Sequence, residues 1–254
     1  MVDEPGPMIP GRQAPPAKPK RFFALASAAA RDGGFALLLD GRPARTPARR
    51  PLALPSAPAA EAVAAEWNGQ VAVIDPALMP LTRIANSAID GVAEQMAAVA
   101  DEVKGYLGSD LLAYRAAEPA PLVAAQAAAW DPVLDWARDA FGARFILAEG
   151  VTFVAQPPAA LARLGEVVDA LAGQGPAAPF RLAALHVMTT LTGSALLALA
   201  VMHGRLRPDE AWAAAHVDET FQESQWGSDA EALERRDRRW ADMKAAATLG
   251  FLAG

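Results

Sequence analysis

Three histidines are the only side chains of this sequence that titrate near neutral pH, because cysteine is absent. His186, His203 and His216 stand 17 and 13 residues apart, so none forms the H-E-x-x-H pattern of a helical zinc site. The nearest approach to an acid–base cluster is His216-Val217-Asp218-Glu219. On a helix only residues three or four apart are neighbours, so Glu219 and not Asp218 is the partner expected for His216. That pair reads by default as a polar surface contact, with a carboxylate and imidazole site as the sharper alternative. His186 lies in an apolar stretch with no second ligand at helical spacing, which suits a satisfied core histidine.

Carboxylates are dense near the C-terminus: Asp218, Glu219, Glu223, Asp229, Glu231, Glu234, Asp237 and Asp242 alternate with Arg235, Arg236, Arg238 and Arg239. The bland reading is a solvated helical face laced with ion pairs, each worth roughly 0 to 1 kcal/mol. Ser228 with Glu231 three residues on reads as a capping box, which gives Glu231 a structural task. Six tryptophans punctuate the chain, and a core position is the default for each. Trp226, between Gln225 and Gly227 at an expected helix–helix corner, is the one placed nearest a contact surface.

The remaining chemistry is bounded by what the composition leaves out. Without cysteine there is no disulfide framework, thiolate metal site or cysteine nucleophile. No G-x-G-x-x-G, G-x-x-x-x-G-K-[ST] or G-x-S-x-G occurs, so ATP turnover and elbow-type hydrolysis are not expected, and no cofactor or metal site is assigned. With 23 basic and 29 acidic residues the net charge is −6, against a general nucleic-acid binder. The first 50 residues nevertheless carry nine basic and four acidic side chains, so that part could bind an acidic partner.

The elements that must position these side chains fall into a mixed pattern. Residues 1–20, rich in Pro and Gly, read as a disordered tail without a secretory or mitochondrial leader. Phe22–Leu25 and Phe35–Leu39 read as strands, and Asp40-Gly41 as a hairpin turn. Ser56 offers an N-cap to an Ala-rich helix reaching Trp67, and Val71–Ile74 a further strand. From Met79 apolar residues recur at steps of three and four, which predicts one helix to about Gly105. Pro121–Phe141 reads as helix broken at Asp131, where Pro132 would open a new one. Phe145–Leu147 and Val151–Val154 read as extended, and Pro158–Leu171 as a helix stopped by Gly173. Phe180–His203 is apolar nearly all round and predicts one buried central helix; the membrane candidate within it, Val187–Met202, is too short and too interrupted by Thr, Gly and Ser to cross a bilayer. Two polar helices then open at Pro208 and Ser228. The expected fold class is α+β: a small N-terminal antiparallel β-rich α+β domain (21–80) followed by a helical domain (81–254).

Several segments, in order, carry a resemblance. They are Asp40-Gly41-Arg42-Pro43 with Thr46-Pro47, Ala65-Glu66-Trp67 with Gln70, and Ile74-Asp75-Pro76 running into Met79-Pro80-Leu81-Thr82-Arg83. Further along come Ser109-Asp110-Leu111-Leu112 with Tyr114-Arg115, Trp130-Asp131-Pro132, Thr192-Gly193-Ser194, and Ala211-Trp212 through Asp218-Glu219 to Gln225-Trp226-Gly227. This set resembles the ATP synthase assembly chaperone family that binds the alpha subunit of the F(1) catalytic head. The resemblance implies a non-enzymatic, ATP-independent holder with a C-terminal orthogonal helical bundle. Its client would be the unassembled alpha subunit, whose beta-facing surface it shields until beta competes for it. It implies client contact through an acidic side chain of the last helices, Glu231 first with Asp229 and Glu219 behind it. Trp226 and Trp67 are added as candidates, and packing remains an equal reading for Trp67. Arg83 and Arg115, set among apolar residues, are expected to pair with carboxylates. A chain of this kind is expected to be monomeric when free and cytoplasmic in a bacterium, with relatives in the mitochondrial matrix. The reading from a different class is a small-molecule enzyme built around His216 and Glu219.

Overall fold

The computed structural model describes residues 18–31, 33–150, 152–227 and 229–253, so most of the tail lies outside the described residues. The chain forms a small antiparallel sheet followed by a helical assembly, a mixed α+β architecture. Strands β1 (Ala26–Arg31) and β2 (Gly34–Leu39) pair in register from Ala26↔Leu39 to Arg31↔Gly34. The Asp40-Gly41 turn holds both residues at positive φ, 47° and 78°, as a two-residue turn matched to strand twist requires. It returns the chain as β3 (Arg42–Pro43), and β4 (Ala53–Leu54) completes the sheet against β2. The expected strand at Phe22–Leu25 is not formed. There the Asp40 carboxylate accepts the amides of Ala24 and Leu25, at 3.0 and 2.9 Å, so a side chain replaces a strand partner. The Val71–Ile74 strand is reduced to a bridge of Val73 with Lys20, flanked by Ile74 N–H donating to Pro19 and Arg21 N–H to Ala72.

Helix α1 (Ala57–Asn68) starts as expected, with Ser56 Oγ accepting the Ala59 amide at 3.2 Å and Pro58 in the first turn. Its buried face of Ala59, Ala60, Val63 and Ala64 lies on β1 and β2. The single helix predicted from Met79 is two helices, α2 (Pro80–Asp90) and α3 (Met96–Leu107), separated at Gly91 by a short turn over Val92–Glu94. A stripe of apolar residues carries through such a turn, so periodicity alone does not reveal it; Gly91 marks the break, but a glycine alone does not make one, since α3 runs through Gly105.

Helix α4 (Ala120–Phe141) corrects the reading in the other direction, since it is continuous with Pro132 inside. Asp131 does not cap a new helix; its carboxylate pairs with Arg115 at 2.7 Å. Trp130, Val133 and Ala137 are buried on either side of the proline, and Trp130 Nε1 donates to the Ala214 carbonyl at 2.7 Å. Burial therefore outweighs the missing amide. Of the extended segments expected around residue 150, only β6 (Ala148–Glu149) pairs, in parallel with β5 (Tyr114–Arg115), and Val151 lies outside the described residues.

Helix α5 (Pro158–Ala172) ends at Gly173 as expected. The apolar stretch that follows is not one helix but α6 (Ala178–Thr192) and α7 (Ala195–Met202). Gly193 at φ 68° ends α6, and Ser194 Oγ accepts the Leu197 amide at 3.0 Å to start α7. Every residue from Ala195 to Val201 is buried, so α7 has no polar face. The polar end of the chain holds three helices rather than two: α8 (Pro208–Ala215), α9 (Val217–Trp226) and α10 (Ala230–Leu252). Met243, Ala245, Ala246, Ala247 and Leu249 bury the second half of α10, which packs against α6 and α2. The core is continuous from Leu37 and Leu54 in the sheet to Leu249 in α10.

Candidate functional site

Residues that stand out in the sequence are brought together mainly as crosslinks between elements. Glu66 near the end of α1 accepts the amides of Leu81 and Thr82 at 2.7 and 2.8 Å and the Thr82 hydroxyl at 2.8 Å, capping α2 from another helix. Burial raises its pKa above the usual range although those three bonds oppose the shift. Asp110, fully buried, accepts the Leu112 amide at 3.1 Å, the Ser194 hydroxyl at 2.7 Å and the Leu196 amide at 3.0 Å. One carboxylate thus caps both the Leu111–Ala113 turn and α7, and desolvation pushes its pKa up to about 6. Gln126 accepts the Ala116 amide and donates to Asp218, at 2.8 and 2.7 Å. Arg115 pairs with Asp131 and Arg83 with Asp242, as expected of arginines set among apolar residues.

The candidate contact surface is the corner between α9 and α10. Trp226 ends α9 with its side chain 81% exposed. Gly227, at φ 84°, turns the chain, and Asp229 Oδ1 accepts the Glu231 amide at 3.4 Å. The N-cap is therefore Asp229; Ser228 lies outside the described residues. This corrects the capping task given to Glu231, which sits in the first turn, exposed, with no side-chain hydrogen bond or ion pair to another described residue. Two acids in that position suit the positive end of the helix dipole, so they can stand there without basic partners. Arg236 fastens the two helices by donating to Glu223 at 2.9 Å and to the Thr220 hydroxyl at 3.2 Å. The corner brings Trp226, Asp229 and Glu231 together. Glu219 lies two turns back on α9, exposed, and Trp67 lies elsewhere, half-buried at the end of α1 against Phe23 with ring centroids 5.6 Å apart.

The histidines do not converge. His216 is buried rather than on the surface: Nδ1 bonds the Trp212 carbonyl at 2.8 Å and the ring lies 4.0 Å from that of Trp212. Burial lowers its pKa, with Glu219 acting only through space. His186 is not a core residue; Nε2 meets Glu102 at 2.9 Å on a half-exposed surface. His203 packs against Trp136 and Phe141, at 5.8 and 5.5 Å, and burial lowers its pKa as well. Among the described residues no group of three His, Asp or Glu side chains could hold a metal ion, and no helix is long and apolar enough to cross a membrane. The residues missed at sequence level are Glu66, half-buried, and Asp110, buried, as caps. Their signal is an acid just before, or packed upon, a helix start, which does not distinguish a cap in its own helix from one in another.

Comparison with known proteins places this architecture. The family model of the ATP12 chaperone protein matches residues 20–138. The crystal structure of the Atu1473 protein of Agrobacterium tumefaciens superposes with a TM-score of 0.87 at 48% identity, covering 93% of this chain and 87% of that one. The crystal structure of Atp12 from Paracoccus denitrificans superposes with a TM-score of 0.84 at 44% identity, covering 93% of this chain and 99% of the other.

Proposed function

Because the chain belongs to the ATP12 chaperone family, we propose that it is the ATP-independent chaperone of the unassembled alpha subunit of the ATP synthase F(1) sector. On this reading it holds the client's beta-facing surface until beta displaces it. An apolar patch that will later be buried against a neighbour is an aggregation hazard while free, and a transient partner of matching chemistry removes it. The observation that carries the proposal is the likeness to the Paracoccus Atp12 along nearly the whole chain at 44% identity. The α9–α10 corner adds a surface of suitable chemistry. An exposed tryptophan is a typical interface anchor, and the unpaired Glu231 supplies directional charge beside it. Such a holder works as a monomer, one per client, in the cytoplasm of a bacterium.

The test is co-purification of the full chain with separately expressed alpha and beta subunits, with and without ATP, for wild type, Glu231→Lys and Trp226→Ser. Selective capture of alpha without ATP, lost in both variants while far-UV circular dichroism is unchanged, is the expected result. Capture of neither subunit by the wild type refutes the client. Capture of alpha by both variants as by the wild type moves the contact away from the corner.

A further inference from the structure

Twelve large apolar side chains are exposed among the described residues, and five of them, Phe22, Leu25, Val71, Val73 and Leu78, come from two short segments. Those segments lie side by side. Ile74 N–H donates to the Pro19 carbonyl at 2.8 Å and Arg21 N–H to that of Ala72 at 3.0 Å, a pairing that sets Phe22, Val71 and Val73 on one side of the bridged pair. Phe22 is 70% and Val71 87% exposed, a cost that a protein with this much polar surface could readily avoid.

Beside this patch lies a groove of about 610 Å³ between the β2–β3 turn and the end of α1. Phe22, Phe23, Leu39 and Trp67 form its apolar lining, and Arg42 and Arg45 stand at its rim. Asp40 is the one acid there, and its carboxylate is engaged by the amides of Ala24 and Leu25, which hold its pKa below the usual range. Arg42 makes no side-chain hydrogen bond or ion pair with another described residue, and Arg45 reaches only the Arg49 carbonyl at 2.7 Å. Arg21 lies over the Phe23 ring, 4.6 Å from its centroid, but outside the groove lining, with its guanidinium donating to the carbonyls of Phe23, Ala24, Asn68 and Gln70. A cationic rim over an aromatic floor, on a protein of net charge −6, makes this end of the molecule complementary to an acidic ligand with apolar content.

We propose that this groove docks an extended segment of the client in which an aromatic side chain is flanked by carboxylates. The aromatic ring enters between Phe22 and Trp67, and the carboxylates take the planar forks of Arg42 and Arg45. The inference deepens the chaperone reading and rests on it for the identity of the client. It adds a second contact, on the sheet side, that none of the acidic residues of the last helices reaches. Two modest contacts on separate surfaces raise the effective concentration of the client at each, so both can be weak enough to release it.

The probe is a fluorescein-labelled synthetic peptide alternating Glu with Phe and Leu, followed by fluorescence anisotropy with the full chain. Control peptides replace the apolar residues by Ser, or Glu by Lys. Only the first peptide is expected to bind. The double variant Arg42→Gln/Arg45→Gln and the variant Phe22→Ser are each expected to weaken it about tenfold or more. Arg31→Gln, at the far end of β1, is expected to change nothing. All four substituted side chains are exposed, so circular dichroism should match the wild type. Binding of none of the peptides, equal binding of the Ser control, or full binding by the groove variants would overturn the proposal. So would a concentration-dependent dimer in sedimentation that Phe22→Ser dissolves, since the occupant would then be a second copy. Alpha captured equally by wild type and groove variants would sink the groove and spare the chaperone reading. Peptide bound without capture of alpha would do the reverse.

Discussion

Replacing Asp110 by Asn should change how the stability of this protein depends on pH, and the direction follows from burial. The Asp110 carboxyl is removed from solvent, and desolvation outweighs the bonds from Leu112, Ser194 and Leu196, leaving a folded pKa of about 6 against 3.8 when exposed. Below the lower value both states hold the proton. As pH rises through it the unfolded chain ionises first, while the folded chain keeps its proton until about 6. The folded state therefore binds more protons in that window, and stability falls as pH rises across it. At 1.36 kcal/mol per pKa unit the group should cost the folded state about 3 kcal/mol above the window relative to below it. The neutral amide of Asp110→Asn has no such term, although it loses one acceptor and so begins less stable at acid pH. Urea unfolding followed by far-UV circular dichroism at about pH 4 and about pH 7 measures both proteins. His203 and His216, whose lowered pKa values give the opposite slope, and Glu66, whose raised value gives the same one, are present in both and cancel in the difference. Because the unfolded carboxyl is already more than half ionised at about pH 4, the stability of the variant relative to wild type should improve by about 2 kcal/mol from the lower pH to the higher. A difference that is flat with pH, or that falls, refutes the reasoning.

Trp226→Ser should leave the urea midpoint within about 0.5 kcal/mol of wild type, because the ring is 81% exposed; a larger loss would mean that Trp226 packs against a neighbour in solution. Gly193→Ala places a Cβ at φ 68° and should cost about 1 to 2 kcal/mol through backbone strain alone, since open space surrounds the position; an unchanged melting temperature would refute the left-handed junction of α6 and α7. Trp130→Phe keeps the aromatic packing but leaves the Ala214 carbonyl without its donor, at a cost of about 1 to 3 kcal/mol in chemical denaturation. A neutral result there would mean that water replaces the indole N–H.

Much of the fold follows from local signals because the deciding interactions are local. The Asp40-Gly41 turn and the Gly173 stop depend on a positive φ that only certain residues adopt cheaply, and the Ser56 cap on a short side-chain oxygen, and each stands where those residues occur. The pairing of Arg115 with a carboxylate follows as well, because an unpaired buried guanidinium is too costly, whereas Arg83 meets Asp242 on an exposed surface where that cost does not apply. Where the readings failed, a distant group had taken the place of a local one. Asp131 suits a cap by its place before Pro132 and is instead the partner of Arg115, in a helix α4 that runs through Pro132. The break at Thr192-Gly193-Ser194 was hidden by hydrophobicity on both sides, since an entirely buried helix has no polar face to mark its end. The polar neighbours of His216 suit the surface, yet it lies buried against Trp212.

The sequence by itself determined that a short β-rich segment precedes a helical one, the absence of thiol chemistry and of the usual phosphate-binding loops, and, through its ordered motifs, the chaperone family. Those properties are carried by residue identity and short spacing, which survive without knowledge of the fold. Only the tertiary structure decided that Glu66 and Asp110 cap helices other than their own, that Trp226 is bare while Trp130 is sealed, and that segments some fifty residues apart place Phe22 and Val71 on one side. Burial and charge environment are set by what packs against a residue, and here the packing partners lie far along the chain.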